Sequence, residues 1–241
     1  MFKGLEDYTG SIALITQLKL WKYFIIPIII SVIVATIIAI SAYKFSDDIG
    51  QWIAGAWVWD WGKSFFTTFS TIISGIIILA IGLIFFKHII MALSAPFMSS
   101  VSEKIEVHLR GTSEVTTRNS TFMSQLWRGI RINGRNLAME LVITAPILLM
   151  KFIPIVNIFS TALLFLLQAY YAGFGNMDYT LERHLSYRKS IEFVRKNRAI
   201  AIGNGAGFLL LLLVPVIGVI MVLPFSVTAA SVSTVRVLNR N

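Results

Sequence analysis

An ionisable side chain inside an apolar run is where chemistry is first sought in this chain, because hydrocarbon tolerates charge only where the charge serves a purpose. "NLAMELVITAP" carries Glu140, "LLMKFIP" carries Lys151, and the long run Ser64–Phe97 carries Lys87 and His88 near its end. Glu140 and Lys151 fall on nearly the same helical face but about 16 Å apart along it, so one straight helix cannot pair them. Two readings stay open for Glu140, an interfacial charge and a member of an ion pathway. Lys87 lies late enough in its run to snorkel to the headgroups. A third group is the basic segment "SYRKSIEFVRKNR" (186–198), with Ser186 as its N-cap. Arg188 and Lys189, with Arg183 just before them, form a field that could concentrate anions, or equally a lipid anchor that sets topology.

Other chemistry is excluded. "GNGAG" (203–207) imitates a phosphate loop, but no strand precedes it and it lies within an apolar segment. Gly203 and Gly207, four apart, read instead as a place where helices approach closely. Cysteine is absent, so there is no disulfide framework or thiolate nucleophile. His88, His108 and His184 have no metal-ligand spacing, and no serine–histidine–acid set, HExxH or carboxylate pair is present. Neither an enzyme nor a cofactor is expected.

The elements that position these groups follow from composition. The chain has 241 residues, 56% hydrophobic and only 14% charged, too little charge for a soluble domain of this length. The class is an all-α integral membrane protein. Its net charge of +9 then points to cytoplasmic loops and anionic lipid rather than to nucleic acid. Glu6 and Asp7, and the length of the first apolar run, argue against a signal peptide.

Phe2, Leu5, Tyr8, Ile12, Ile15 and Leu18 make one face of a helix, so 1–22 is expected as an interfacial amphipathic helix. Residues 23–97 hold two long transmembrane helices. The first, "YFIIPIIISVIVATIIAISAY" (23–43), has no charge and reaches roughly 30 Å. The second, Ser64–Phe97, is longer than one crossing needs. Between them lies a loop, 44–63, whose Trp52, Trp57, Trp59 and Trp61 read as interfacial anchors. Pro96 ends the second helix and starts a short amphipathic one, with Val101, Ile105 and Leu109 as its stripe and Gly111 as its cap. Residues 98–136 form a basic cytoplasmic segment and 176–198 a basic cytoplasmic helix. Regions 137–175 and 199–235 resemble each other: "LLMKFIPIVNIF" and "LLLLLVPVIGVI" each place a proline (Pro154, Pro215) within an apolar run, followed by Asn157 or Gly218. Each reads as a helical hairpin bent at proline. Full crossing and partial penetration both remain open. Short, proline-interrupted apolar pairs are the pattern that points to a transport site.

"LSAPFMSSVSEKIEVHLRG" (93–111) resembles the signature region of CysZ-type sulfate permeases of the etoposide-induced-protein superfamily, where an apolar helix ends in Ala-Pro-Phe before an amphipathic helix. Ala95, Pro96, Phe97, Glu103, Leu109 and Gly111 match it. Asp178-Tyr179, Ser186-Tyr187 and Asn197-Arg198 fit a second landmark, with Thr180 in place of a proline, and the turns at Pro154 and Pro215 agree in order and spacing. The resemblance implies two long membrane helices, two partly penetrating hairpins, and a homo-oligomer in the bacterial inner membrane that admits sulfate for cysteine biosynthesis. One departure stands out. Counting back from Pro27, Trp21 and Lys22 occupy the family's paired arginines, so only one cation remains, without arginine's planar fork. The resemblance therefore implies anion binding at Lys22, supported by backbone near Gly10 and by Lys19. The pathway or vestibule would comprise Glu140, Arg183, Arg188 and Lys189. The expected partners are sulfate or another small oxyanion and membrane lipids. The alternative is a non-transport membrane scaffold or assembly factor of the same superfamily.

Residues 101–136 carry six basic and three acidic side chains, 177–198 six and three, and 44–63 two and three. Basic segments stay in the cytoplasm, so the termini and both basic segments are predicted inside and 44–63 outside. In this cysteine-free chain, a single cysteine at position 55 should react with an impermeant maleimide only from outside. Reaction from the cytoplasmic side refutes the topology.

Overall fold

In the computed structural model the described residues are 2–58, 61–111, 121–150, 153–214 and 216–239, and they form helices without a strand. The helices are α1 (Phe2–Glu6), α2 (Ser11–Gln17), α3 (Trp21–Ala54), α4 (Lys63–Leu93), α5 (Ala95–Arg110), α6 (Phe122–Met150), α7 (Pro154–His184), α8 (Tyr187–Lys196), α9 (Arg198–Leu212) and α10 (Ile217–Leu238). Four of them, α3, α4, α7 and α10, are long and apolar enough to cross a membrane. Trp59, Lys151 and Pro215, which the sequence singles out, lie outside the described residues.

The packing is inverted relative to a soluble bundle. Ile25, Ile29, Ile33, Ile72 and Ile76 point outward, whereas Ser31, Ser70 and Ser74 are buried. Lipid is as apolar as leucine, so long helices associate through small and polar residues instead. Along the antiparallel α3–α4 pair, a Cβ on Gly50 would stand 2.6 Å from the Thr71 Cα, and one on Gly82 would stand 2.4 Å from the Ile38 side chain. The α7–α9 crossing is tighter still. A Cβ on Gly173 would lie 1.8 Å from the Ala201 carbonyl oxygen, and one on Gly205 would lie 1.7 Å from that of Ala169. The α7–α9 approach runs through Gly205, while Gly203 meets α1, where a Cβ on Gly4 would lie 3.2 Å from its carbonyl carbon. Gly207 does serve as expected, but against the Tyr8 ring.

Several boundaries differ from the sequence reading. Nothing between Lys44 and Ala54 breaks a helix, and α3 continues as far as Ala54, into the segment read as loop; its 34 residues reach roughly 51 Å. The N-terminus is two short helices rather than one. The turn between them lets Tyr8 donate to the Asn204 carbonyl at 2.6 Å and lets Asp7 pair with Arg236 at 2.7 Å. This segment therefore docks on α9 and α10 instead of merely lying at the interface. Helices α6 and α7 extend into the basic segments on both sides of 137–175. The basic helix stops at Lys196, with Asn197 dividing it from α9; Ser186 holds the N-cap position without a side-chain cap bond. The joint at Pro96 is sharper than a loop. Ser94 alone separates α4 from α5, Pro96 sits in the first turn of α5, and Gly111 closes that helix at φ 64°.

Helices α6 and α7, and α9 and α10, pair as two hairpins: Arg128 early in α6 reaches Asp178 late in α7, and Asn204 of α9 lies beside Ser233 late in α10. The apolar arm of α6 after position 136, and the 15 residues of α9, each reach only roughly 21–22 Å against a hydrocarbon core of about 30 Å. Their tips are predicted to stop short of the far surface. Position 218 is unsuitable as a probe, because a Cβ there would meet the Leu211 carbonyl oxygen at 2.2 Å. Cysteines at the exposed Asn157 and Leu213 should resist impermeant reagents from outside. Rapid labelling at either means that the hairpins cross completely.

Candidate functional site

Charge gathers in three places besides the Asp7–Arg236 pair. The first is between α4 and α6. Lys87 and His88 are 1% and 3% exposed, and Glu140 is 1% exposed. Lys87 Nζ donates to Glu140 Oε1 at 2.6 Å, and His88 Nε2 lies 3.0 Å from Oε2. Lys87 and Glu140 thus answer each other across two helices, and neither side chain reaches the surface of the fold. The geometric reason is close packing on this side of α7. A Cβ on Gly175 would lie 2.7 Å from Asn133 Oδ1 of α6 and 2.8 Å from Met91 Sδ of α4.

The second place is an ionic joint where α5, α6, α7 and α8 converge. Glu106, fully buried, accepts from Arg183 Nη2 at 3.0 Å, Arg110 Nη2 at 2.9 Å and His184 Nε2 at 2.7 Å. Burial acts to raise the Glu106 pKa, but the His184 hydrogen bond and the Arg183 charge outweigh it and hold the carboxyl below its ordinary range. Arg183 also donates to Ser102 Oγ, to the Ser99 carbonyl and to the Tyr179 carbonyl. Alongside, Arg128 grips Asp178 with two hydrogen bonds of 2.9 Å and reaches Ser190 Oγ and the Leu185 carbonyl. Glu182 pairs with the Ser99 hydroxyl. Arg183, expected in an anion vestibule, is thus held by protein acceptors as part of this joint. Arg188 and Lys189 are exposed.

The third place is the foot of α3. Lys22 is exposed, and its Nζ lies 5.3 Å from the centroid of the Tyr23 ring; Lys104 Nζ of α5 lies 5.5 Å from the same centroid. Tyr23, Lys104, His108, Glu103 and Ser100 line a cavity of about 600 Å³. Lys19 is exposed, with φ 51°. Gly10 belongs elsewhere: it lines a cavity of about 640 Å³ with Lys3, Asp7 and Arg236. Neither Lys19 nor Lys22 lines that cavity, so the structure does not gather the three expected anion ligands into one pocket.

The sequence reading missed Lys104, whose partner Tyr23 is distant along the chain. It also missed that Glu140 answers Lys87. The adjacent Lys-His pair inside an apolar run was the available signal for the latter.

Among the described residues the protein is built of helices, four of them long and apolar enough to cross a bilayer, with charge pairs buried between helices and cations exposed on its basic segments, which is the make-up of a multi-pass membrane protein. The family model described as Sulfate transporter CysZ/Etoposide-induced protein 2.4 matches residues 9–222, and the chain belongs to that family. It is a transporter family rather than an enzyme family, and the chain is a multi-pass inner-membrane protein. The Sulfate transporter CysZ of Pseudomonas aeruginosa (strain LESB58) is 28% identical over 164 residues, 66% of this chain and 66% of that protein. That of Pseudomonas fluorescens (strain Pf0-1) is 27% identical over 164 residues, 66% and 65%. The matches therefore span just under two thirds of those relatives' length.

The joint around Glu106 yields a prediction for stability. Glu106→Gln leaves Arg183 buried without its counter-charge, which should cost about 3–5 kcal/mol. Because the native pKa lies below the unfolded one, the Glu106 contribution is complete above the unfolded value and is lost as pH falls through the native value, below about pH 4. In detergent, melting followed by tryptophan fluorescence should fall for Glu106→Gln at neutral pH. The variant should also lose less than the unmodified chain on acidification. Equal melting temperatures at neutral pH refute the role of the joint.

Proposed function

We propose that the chain carries sulfate, or a related small oxyanion, across the bacterial inner membrane into the cytoplasm as a channel- or permease-like conduit. The observation that carries this reading is membership of the sulfate-transporter family over residues 9–222. The pair of ammonium groups around Tyr23 supports it. A dianion sheds water only where donors replace it, and Lys22 and Lys104 supply two positive charges at a single ring, in a chain without the family's arginine pair. On this reading Lys22 is the main ligand, Lys104 a second one, and Lys19 raises the local potential. Gly10 is at most a neighbour through its backbone. Arg188 and Lys189 form the cytoplasmic vestibule, and Glu140 belongs to the pathway. Lipid and further copies of the chain would cover the apolar outer faces of α3 and α4.

Labelled sulfate taken up by liposomes containing the purified protein tests the reading, with empty vesicles as the reference. A charge-assisted hydrogen bond to an anion contributes roughly 1.5–3 kcal/mol, so Lys22→Ala should weaken sulfate binding by about ten- to a hundredfold. Lys22→Arg should retain binding, because the guanidinium offers a forked donor. Uptake no faster than in empty vesicles defeats transport and favours a membrane scaffold. Unchanged affinity in correctly inserted Lys22→Ala defeats only the assignment of this residue.

A further inference from the structure

The Lys87–His88–Glu140 group is more than a neutralised pair. Two donors on consecutive residues of α4 converge on the two oxygens of one carboxylate, Nζ on Oε1 at 2.6 Å and Nε2 at 3.0 Å from Oε2. We propose that Lys87 and His88 form an oxyanion site within the membrane, and that Glu140 fills it as a tethered stand-in for the transported anion. The proposal rests on the oxyanion-transport reading and deepens it by naming an inner site.

Three observations support it. The first is the shape of the donor set. Two point-like donors aimed at two oxygens on one central atom suit two oxygens of a tetrahedral oxyanion as well as they suit a carboxylate. The second is a surplus donor. Asn136 is fully buried and stands one turn before Glu140, on the same face of α6. Its Oδ1 accepts from Arg135 Nη1 at 3.2 Å, while its Nδ2 has no partner. A buried N–H left unmade costs about 1–3 kcal/mol. Both Glu140 oxygens are already engaged; an anion with four oxygens brings acceptors to spare.

The third observation is a cavity that reaches the site at Lys87, though not at His88, Glu140 or Asn136. A cavity of about 280 Å³ between α4, α7 and α9 has Lys87 and Gln168 as the polar members of its lining, among Ile84, Phe165 and Leu209. That is many times the roughly 30 Å³ occupied by a water. When an anion enters, its oxygens take the donors from Glu140, and the carboxylate turns away from α4. When the anion leaves, Glu140 returns, so Lys87 is never bare in the membrane.

The test uses labelled-sulfate uptake into proteoliposomes by the full chain and three variants, with elution profile and melting temperature as folding controls. Glu140→Gln removes the tethered competitor and should lower the KM for sulfate by about tenfold. The neutral double variant Lys87→Met/Glu140→Gln leaves no buried charge unpaired, so it should fold, yet its KM should rise by about tenfold or more. His88→Phe keeps the bulk of the ring without the donor and should raise KM. A folded double variant with the KM of the unmodified protein overturns the inner site and leaves transport standing. An unmodified protein that carries no sulfate overturns the transport reading on which the site rests.

Discussion

A charge that must sit away from water has to find its counter-charge on another element, and this requirement ties the helices of the protein together. Lys87 of α4 is answered by Glu140 of α6, Arg183 of α7 by Glu106 of α5, and Arg128 of α6 by Asp178 of α7. Each link joins residues 50 or more apart in sequence, so the pairing can be complete only when the helices have assembled. Breaking one partner leaves an uncompensated ion, which is far more destabilising than the pair is stabilising. The pairs therefore act less as glue than as a check on register, since a shift of one helical turn would strand both charges.

Glycine makes that register reachable. With Gly173 against Ala201 and Gly205 against Ala169, α7 and α9 touch backbone to backbone, which brings the basic end of α7 against α5 and α8. The same economy of side chain at Gly175 admits Asn133 and Met91, and so lets α6 and α4 close over Glu140. Apolar bulk faces outward because lipid accepts it at no penalty, and the small and polar residues are left to specify the interior.

The spans, the two hairpins, the proline joint at Pro96 and the glycine cap at Gly111 were legible in the sequence, because each depends on local periodicity, length or backbone restriction. The end of α3 was not: charge at Lys44, Asp47 and Asp48 marks the limit of hydrocarbon, not the limit of a helix. The docking of Tyr8 and Asp7 on Asn204 and Arg236 joins opposite ends of the chain, and no local pattern encodes it. For the site the division is the same. Intramembrane charge announced itself by being out of place, whereas the identity of its partner depended on tertiary packing. Lys22 was visible as a lone cation before an apolar run; Lys104 became its neighbour only through the shared Tyr23 ring.

The cations separate by depth, and the separation has a mechanical consequence on the transport reading. Those at the surface, Lys22, Lys104, Arg188 and Lys189, act through water, where two unit charges 4 Å apart attract by about 1 kcal/mol; at an effective dielectric of 20 the same pair attracts by about 4 kcal/mol. A dianion would therefore be held loosely at the mouth and more tightly within. Tight inner binding alone would trap it, since conduction requires a site strong enough to enter and weak enough to leave. A carboxylate already resident on Lys87 resolves the conflict. The incoming anion gains only the difference between its own contacts and those Glu140 gives up, and on departure Glu140 recovers them. Net binding inside is then set by a competition between two anions for one pair of donors rather than by the full strength of a buried charge.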